Sequence, residues 1–325
     1  MNAVKPLTRP YVHQALSTRS VMADVLIALL PVVIWSVYIY GARAAFLLGI
    51  GVGSALLCEL YVCLLTRRPI TALDGSAALT GLLCALCMPV TVPLWMPALA
   101  SFIAIVPLKA LFGGLGRNYL NPAASAICLL ELLFRDAMCV VPPASTGYDP
   151  LLIAPALPES VSILETLKQG HLPNISYTEL LIGDRSGLLG ELSALLLIGG
   201  GLYLILRGII SWHIPAFSLL SFAVLANFFP LHDNAMKFML LELLGGSLLL
   251  GAFFMATDPV TSPMTSTAKI AYGVGIGALT YLFRRCGFLP EGVFFAIVCM
   301  NLAARPLEAL TRPKPFGHLR GNAAS

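Results

Sequence analysis

From about Val21 to Leu310 the chain is a succession of membrane-length apolar runs, with almost all of its charge confined to the gaps. Met22–Tyr40 and Ala44–Leu65 open the series. Each is long enough to cross a hydrocarbon core of roughly 30 Å at about 1.5 Å per helical residue. Hydrophobic residues make up 58% of the chain and charged residues 11%, against about 25% charged in a soluble domain. These runs predict an all-α integral membrane protein. Its function must then lie in the few polar residues and helix breaks that a bilayer tolerates.

Ten spans are expected: 22–40, 44–65, 77–93, 95–111, 122–134, 188–206, 214–229, 238–257, 269–285 and 291–308. The first follows about twenty polar residues and lacks a small-residue cleavage site. It reads as a true span rather than a leader. Pro89, Pro93, Pro97 and Pro107 interrupt the third and fourth, so those helices are expected to be broken or kinked. With a cytoplasmic N-terminus, 13 Lys and Arg fall inside and 7 outside, which favours both termini in the cytoplasm. Segment 135–187 then becomes one long external loop, and loops of that length in a compact bundle are commonly functional or disordered.

The two halves share a register. Pro89-Val90-Thr91-Val92-Pro93 recurs as Pro259-Val260-Thr261-Ser262-Pro263, 170 residues later, and Gly75 and Gly81 meet Gly245 and Gly251 at the same offset. Asn121-Pro122 opens the fifth span and Leu289-Pro290 leads into the tenth. Five spans per half is an odd number, so the expected organisation is a five-plus-five inverted repeat with broken helices. Residues 1–21 form a cytoplasmic segment, 22–134 and 188–310 the repeats, 135–187 the external loop and 311–325 a cytoplasmic tail. Matching breaks in such repeats point to a binding site at the repeat interface.

Glu59, Glu131, Glu242 and Asp258 are the acidic groups inside spans. The first three either line a polar pathway or sit near span ends and reach the interface. Asp258, followed by Pro259, either binds a cation or heterocycle or caps the next helix with Thr257. Thr261 belongs to the same break. Gly113-Gly114-Leu115-Gly116-Arg117-Asn118-Tyr119-Leu120-Asn121-Pro122 is glycine-rich and ends at a helix start. Backbone N–H groups around Gly116, Asn118 and Asn121 could hold a phosphate or a flavin carbonyl; a tight turn is the plainer reading. The segment is neither a Walker loop nor a dinucleotide fingerprint. Cys84 and Cys87 lie one turn apart but read as buried apolar thiols. Trp212 reads as an interfacial anchor beside a loop His213. No metal spacing or hydrolase triad is present, and no metal is expected.

Taken together these residues resemble the RnfD/NqrB family, which comprises the RnfD membrane proteins of Rnf ion-translocating oxidoreductase complexes and the related NqrB proteins of sodium-pumping NADH:quinone reductases. The marks are Arg9-Pro10-Tyr11-Val12-His13, Ser76-Ala77-Ala78-Leu79-Thr80-Gly81-Leu82-Leu83, Gly113-Gly114-Leu115-Gly116-Arg117-Asn118 and Asn121-Pro122-Ala123. Further marks are Gly190-Glu191-Leu192-Ser193-Ala194, Arg207-Gly208-Ile209-Ile210-Ser211-Trp212-His213-Ile214-Pro215, Ala256-Thr257-Asp258-Pro259-Val260-Thr261 and Arg312-Pro313.

The resemblance implies an electron-transfer subunit of an Rnf-type complex in the cytoplasmic membrane. Such a complex couples electron flow between ferredoxin and NAD to Na⁺ or H⁺ movement, and the subunit is not catalytic alone. It also implies flavin, as FMN and also riboflavin. Family members carry FMN on a threonine of the outer loop, in a pattern like Asp-x-x-Ser-Gly-Ala-Thr-Pro-Leu. Here Leu164, Leu167, Lys168 and Gly170 align with the continuation of that pattern, which puts Ser162 at the threonine position. Ala156-Leu157-Pro158-Glu159-Ser160-Val161 keeps none of the preceding residues, and Ile163 replaces the proline. The competing readings are a small-solute transporter or channel built on the repeats, and a cofactor-free scaffold subunit.

Overall fold

The structure, a computed structural model, describes residues 17–67, 71–114, 116–141, 162–287 and 291–312. The Arg9–His13 motif, the Leu289-Pro290 dipeptide, residues 142–161 of the long loop and residues 313–325 lie outside the described residues. Fourteen α-helices are present among the described residues.

Helix α1 (Thr18–Tyr40) starts where the Ser17 hydroxyl accepts from Ser20 N. Gly41, at φ +69°, reverses the chain in a single residue, and α2 (Ala42–Thr66) returns. These helices of 23 and 25 residues, together with α14 (Val293–Thr311), are individually long and apolar enough to cross a membrane. A fourth candidate is the pair α11 (Ala235–Leu244) and α12 (Leu248–Leu250, continued by the π-turn Gly251–Met255), bent by 59° where they join. Five shorter apolar helices complete the apolar set: α3 (Ser76–Leu86), α4 (Trp95–Ile105, continued by the π-turn Val106–Ala110), α5 (Pro122–Leu133), α9 (Ala194–Leu206) and α10 (His213–Phe228). Helix α13 (Ser266–Cys286) packs along α10.

The proline positions explain the interruptions. Pro97 falls in the first turn of α4, where a missing N–H is harmless. Pro107 falls inside a helical run, and there the backbone loosens into a π-turn. The expected span 77–93 is therefore corrected to the 11-residue α3 followed by irregular chain. The long loop also carries helices that the apolar pattern does not predict: α6 (Arg135–Cys139), α7 (Ile163–Lys168) and α8 (Tyr177–Ile182). Ile163, Leu164, Leu167 and Leu180 from α7 and α8 pack on Phe238 and Leu241 of α11.

Irregular backbone can lie deep in such a bundle only if its polar groups find protein partners. The first break does so at the end of the bundle where α1 finishes. The Arg43 guanidinium donates to Val90 O (2.6 Å) and Val92 O (2.9 Å). Leu189 N and Gly190 N donate to Met88 O and Leu86 O, at 3.0 and 2.7 Å. On the same level Tyr40 OH donates to Gly187 O (2.8 Å) and Ser36 to Leu189 O. The second break, 256–265, sits at the opposite end, beside Val21 and Met22 at the start of α1. Helices α2 and α3 approach closely through paired glycines. A Cβ on Gly81 would meet Gly51 O at 2.3 Å.

Candidate functional site

The site is built where the second break meets the start of α5. Asn121 is the N-cap of α5: its Oδ1 accepts from Ala124 N at 3.0 Å, and Pro122 follows at the first helical position. This leaves the Asn121 amide free to donate to Met255 O at 3.0 Å, across 134 residues. Met255 ends the Gly251–Met255 π-turn, whose carbonyls are out of ordinary helical register. Asp258 follows in a turn that it closes itself, accepting from Val260 N and from the Thr261 hydroxyl, both at 3.2 Å. The next helix is capped by Thr265, so Asp258 closes a turn rather than capping a helix.

Between these elements lies a cavity of about 80 Å³. Ser76, Thr80, Lys109, Asn118, Asn121, Thr257 and Asp258 supply its polar side chains, and Leu79, Phe253 and Phe254 part of its apolar wall. Asn118 is buried and its Oδ1 has no hydrogen-bond partner. A buried acceptor without a partner carries a desolvation penalty of about 1–3 kcal/mol, so this oxygen is the group best placed to receive a donor from an occupant.

Lys109 is the residue that sequence reasoning missed here. It lies on the Pro107 π-turn, and only 2% of its side chain is exposed. Its Nζ is 3.1 Å from Glu59 Oε2 and donates to Ser76 Oγ at 2.8 Å. Glu59 also accepts from the Thr71 hydroxyl at 2.6 Å. The cavity wall is thus a neutral ion pair with a carboxylate, Asp258, in the same lining.

Of the residues singled out from the sequence, Asn118, Asn121 and Asp258 line this cavity. Thr261 joins them through Asp258. Gly116 does not. It is exposed at φ +90°, and it serves the turn together with Gly113 and Gly114, which also have positive φ. Ser162 lies in the loop region as the N-cap of α7, its hydroxyl accepting from Glu165 N at 3.1 Å. Glu59, Glu131 and Glu242 are all buried, which removes the reading that they reach an interface. Cys84 and Cys87 are wholly buried among apolar side chains. Trp212 is half-exposed and stacks on His213 at 4.2 Å, and His213 Nδ1 meets Ser211 Oγ at 2.9 Å. Among the described residues no three His, Cys, Asp or Glu side chains group as a metal site.

Among the described residues the chain is all-helical, with membrane-length apolar helices, two backbone breaks held inside the bundle and a polar cavity beside one of them, which is the class of a helical membrane protein. Its family is also defined. The chain belongs to the NQR2, RnfD, RnfE family, which it matches over residues 6–317. It is similar to the D component of the Na⁺-translocating ferredoxin:NAD⁺ oxidoreductase complex of Acetobacterium woodii, 37% identical over 95% of this chain and 93% of that one. It is equally similar to the D component of the proton-translocating ferredoxin:NAD⁺ oxidoreductase complex of Clostridium ljungdahlii, 37% identical over 96% of this chain and 95% of that one. The corresponding component of the ion-translocating oxidoreductase complex of Ectopseudomonas mendocina is 31% identical over 98% of each chain.

Proposed function

We propose that this chain is the membrane electron-transfer subunit of an Rnf-type complex that couples ferredoxin:NAD⁺ redox chemistry to Na⁺ or H⁺ translocation. Family membership across nearly the whole chain supports it, as do relatives named for that complex. In this reading the protein is a ten-span, five-plus-five inverted repeat in the cytoplasmic membrane, with both termini inside. The burial of Arg43, Arg185, Arg284 and Lys109 supports that topology. These residues serve internal contacts rather than loops, and setting them aside leaves twelve Lys and Arg inside against four outside.

The observation that carries the cofactor reading is the unpartnered Asn118 Oδ1 in a cavity that also holds Asp258 and Lys109. An acceptor, a carboxylate and a cation on an apolar wall suit the polar edge of a flavin. Asn118 would receive a ring N–H, and the Lys109–Glu59 pair would set the local charge. Bound flavin supplies one- and two-electron chemistry. The protein's part is to bind the ring, exclude water and fix the charge around it. A cavity of about 80 Å³ is smaller than the roughly 300 Å³ at which ligand pockets begin, so its walls must part to admit the ring.

That same volume favours a second reading, in which the cavity holds water or a small ion on a transport route. FMN on Ser162 is the second flavin position we propose. Its phosphoester would form on the hydroxyl that now caps α7, replacing a contact worth about 1 kcal/mol. Denaturing-gel fluorescence of the chain coexpressed with a flavin transferase tests it. The expected result is a fluorescent band lost in Ser162→Ala. A band that survives moves the attachment, with Thr166 next, and no band removes covalent flavin.

A further inference from the structure

A second cavity, of about 340 Å³, lies where α5 and α13 end and α14 begins. Its size falls within the roughly 300–1,000 Å³ of ordinary ligand pockets. Phe283 and Phe295 form an apolar wall, their rings edge to face with centroids 6.3 Å apart. Gly292, at φ +66°, lets α13 and α14 meet there, because a Cβ on it would stand 2.9 Å from Phe283 Cβ. Leu132, 66% exposed, and the exposed Arg135 line the same space, so the cavity opens sideways onto the outer surface of the bundle.

Glu131 is the acidic group inside. The residue is 5% exposed, and among the described residues its Oε2 has no hydrogen-bond partner. A buried carboxyl oxygen without a donor is costly, and more so in a membrane protein. It is the group in this cavity that an occupant's donor would satisfy. Cations stand at the edge instead. Helix α5 ends at Leu133 and Phe134 leaves helical geometry at φ −129°, which puts Arg135 beyond the helix on the open side. Lys168 donates to Gly287 O at 2.5 Å, and Gly287 also lines the cavity. The ammonium of Lys168 has further donors to give.

The depth of the cavity in the bilayer is marked by Trp95, which is half-exposed and packs edge-on against Phe134 with centroids 5.3 Å apart. Exposed tryptophans on membrane helices gather at the headgroup boundary. Glu131 is buried and does not reach that layer itself; the cavity opens a way from the layer to it.

We infer that this cavity seats the headgroup of one phospholipid bearing a primary ammonium group, of the phosphatidylethanolamine class. The ammonium donates to the Glu131 carboxylate, a charge-assisted bond. The phosphate meets Arg135 and Lys168, and the acyl chains leave past Leu132 into the bilayer. The headgroup is a zwitterion and the site is its complement, with the carboxylate inside and the cations at the rim. A choline headgroup carries the same charges but has no N–H for Glu131. A glycerol headgroup has hydroxyl donors but no positive charge to set against the carboxylate. The site lies away from the Asn118–Asp258 cavity and does not depend on flavin being bound there.

Native mass spectrometry of the full chain tests this, with the protein equilibrated in detergent against equal amounts of phosphatidylethanolamine, phosphatidylcholine and phosphatidylglycerol of identical acyl chains. Wild type is expected to keep one phosphatidylethanolamine per chain, retained severalfold over either competitor. Glu131→Leu should erase the preference for ethanolamine over choline. Arg135→Gln should lower retention of all three lipids alike and leave that preference in place. Equal retention of the ethanolamine and choline lipids by wild type overturns the proposal, as does retention of no lipid above the annular background. Phosphatidylglycerol held above phosphatidylethanolamine overturns it in favour of an anionic-lipid site. A preference that survives Glu131→Leu overturns the role of Glu131. If the variants do not fold, the wild-type comparison still decides, since the choline and ethanolamine lipids differ only in the donors offered to Glu131.

Discussion

Replacing Lys109 with methionine removes the cation but leaves the Glu59 carboxylate buried, with the Thr71 hydroxyl as its remaining close donor. The side chains are 2% and 9% exposed and the ions 3.1 Å apart, so screening by solvent is slight. Breaking a buried pair from one side costs about 3–5 kcal/mol. The lost bond to Ser76 adds about 1 kcal/mol. A chain of this size loses roughly 2 °C of Tm per kcal/mol, so Lys109→Met should unfold roughly 8–12 °C below wild type in detergent. Glu59→Gln strands the ammonium instead and should lose a similar amount. The double variant removes both charges, keeps an acceptor for Thr71, and should return to within about 2 kcal/mol of wild type, because an apolar replacement of a buried pair is close to neutral. The coupling between the two sites should therefore exceed about 2 kcal/mol and should not fall at high salt, unlike that of a surface pair. Additive losses in the double variant, or single variants within about 2 °C of wild type, would show that the pair does not hold the cavity wall.

Arg43→Met should lower Tm by roughly 6–12 °C in the same assay, because the Val90 and Val92 carbonyls of the first break lose a charged donor, each bond being worth about 1.5–3 kcal/mol; an unchanged Tm would mean that the break is held elsewhere. Gly81→Leu should prevent α2 and α3 from docking, since even a Cβ meets Gly51 O at 2.3 Å; expression of a monodisperse variant at wild-type yield would contradict the close helix approach. Reporter fusions at Ser325 and within residues 142–161 should report cytoplasmic and external positions respectively, and a cytoplasmic signal from the loop would overturn the proposed topology.

The apolar runs made the long helices legible, because burial in lipid demands a continuous hydrophobic surface. The proline pairs made the breaks legible, because proline acts locally. Asn121 and Asp258 could be named as candidates for the same reason: each sits at a helix break marked by a following proline. What could not be read was anything decided by long-range contact. Glu59 and Lys109 are 50 residues apart, and no local pattern pairs them. Arg43, Arg185 and Arg284 look like loop charges in sequence, yet each is buried against backbone carbonyls of a distant segment. Glu191 and Glu291 lie beside helix starts, 100 residues apart, and both accept hydrogen bonds from Ser247. Gly116 drew attention for its backbone freedom, which is used in a turn rather than in the cavity. Helix α8 did carry a local signal. Ser176-Tyr177-Thr178-Glu179 forms a capping box in the structure.

We propose that the cavity between Asn118, Asn121 and Asp258 holds a flavin in the membrane subunit of an Rnf-type complex. The most direct measurement is the visible absorbance of the purified chain with its lipids retained, for wild type and Asn118→Leu on a Ser162→Ala background, so that only non-covalent flavin is counted. A flavin spectrum near one equivalent per chain is expected in the Ser162→Ala protein and a severalfold loss with Asn118→Leu, while Tm is held within about 2 °C. A colourless Ser162→Ala protein, or flavin content indifferent to Asn118→Leu, would contradict it and leave the water- or ion-sized occupant in its place.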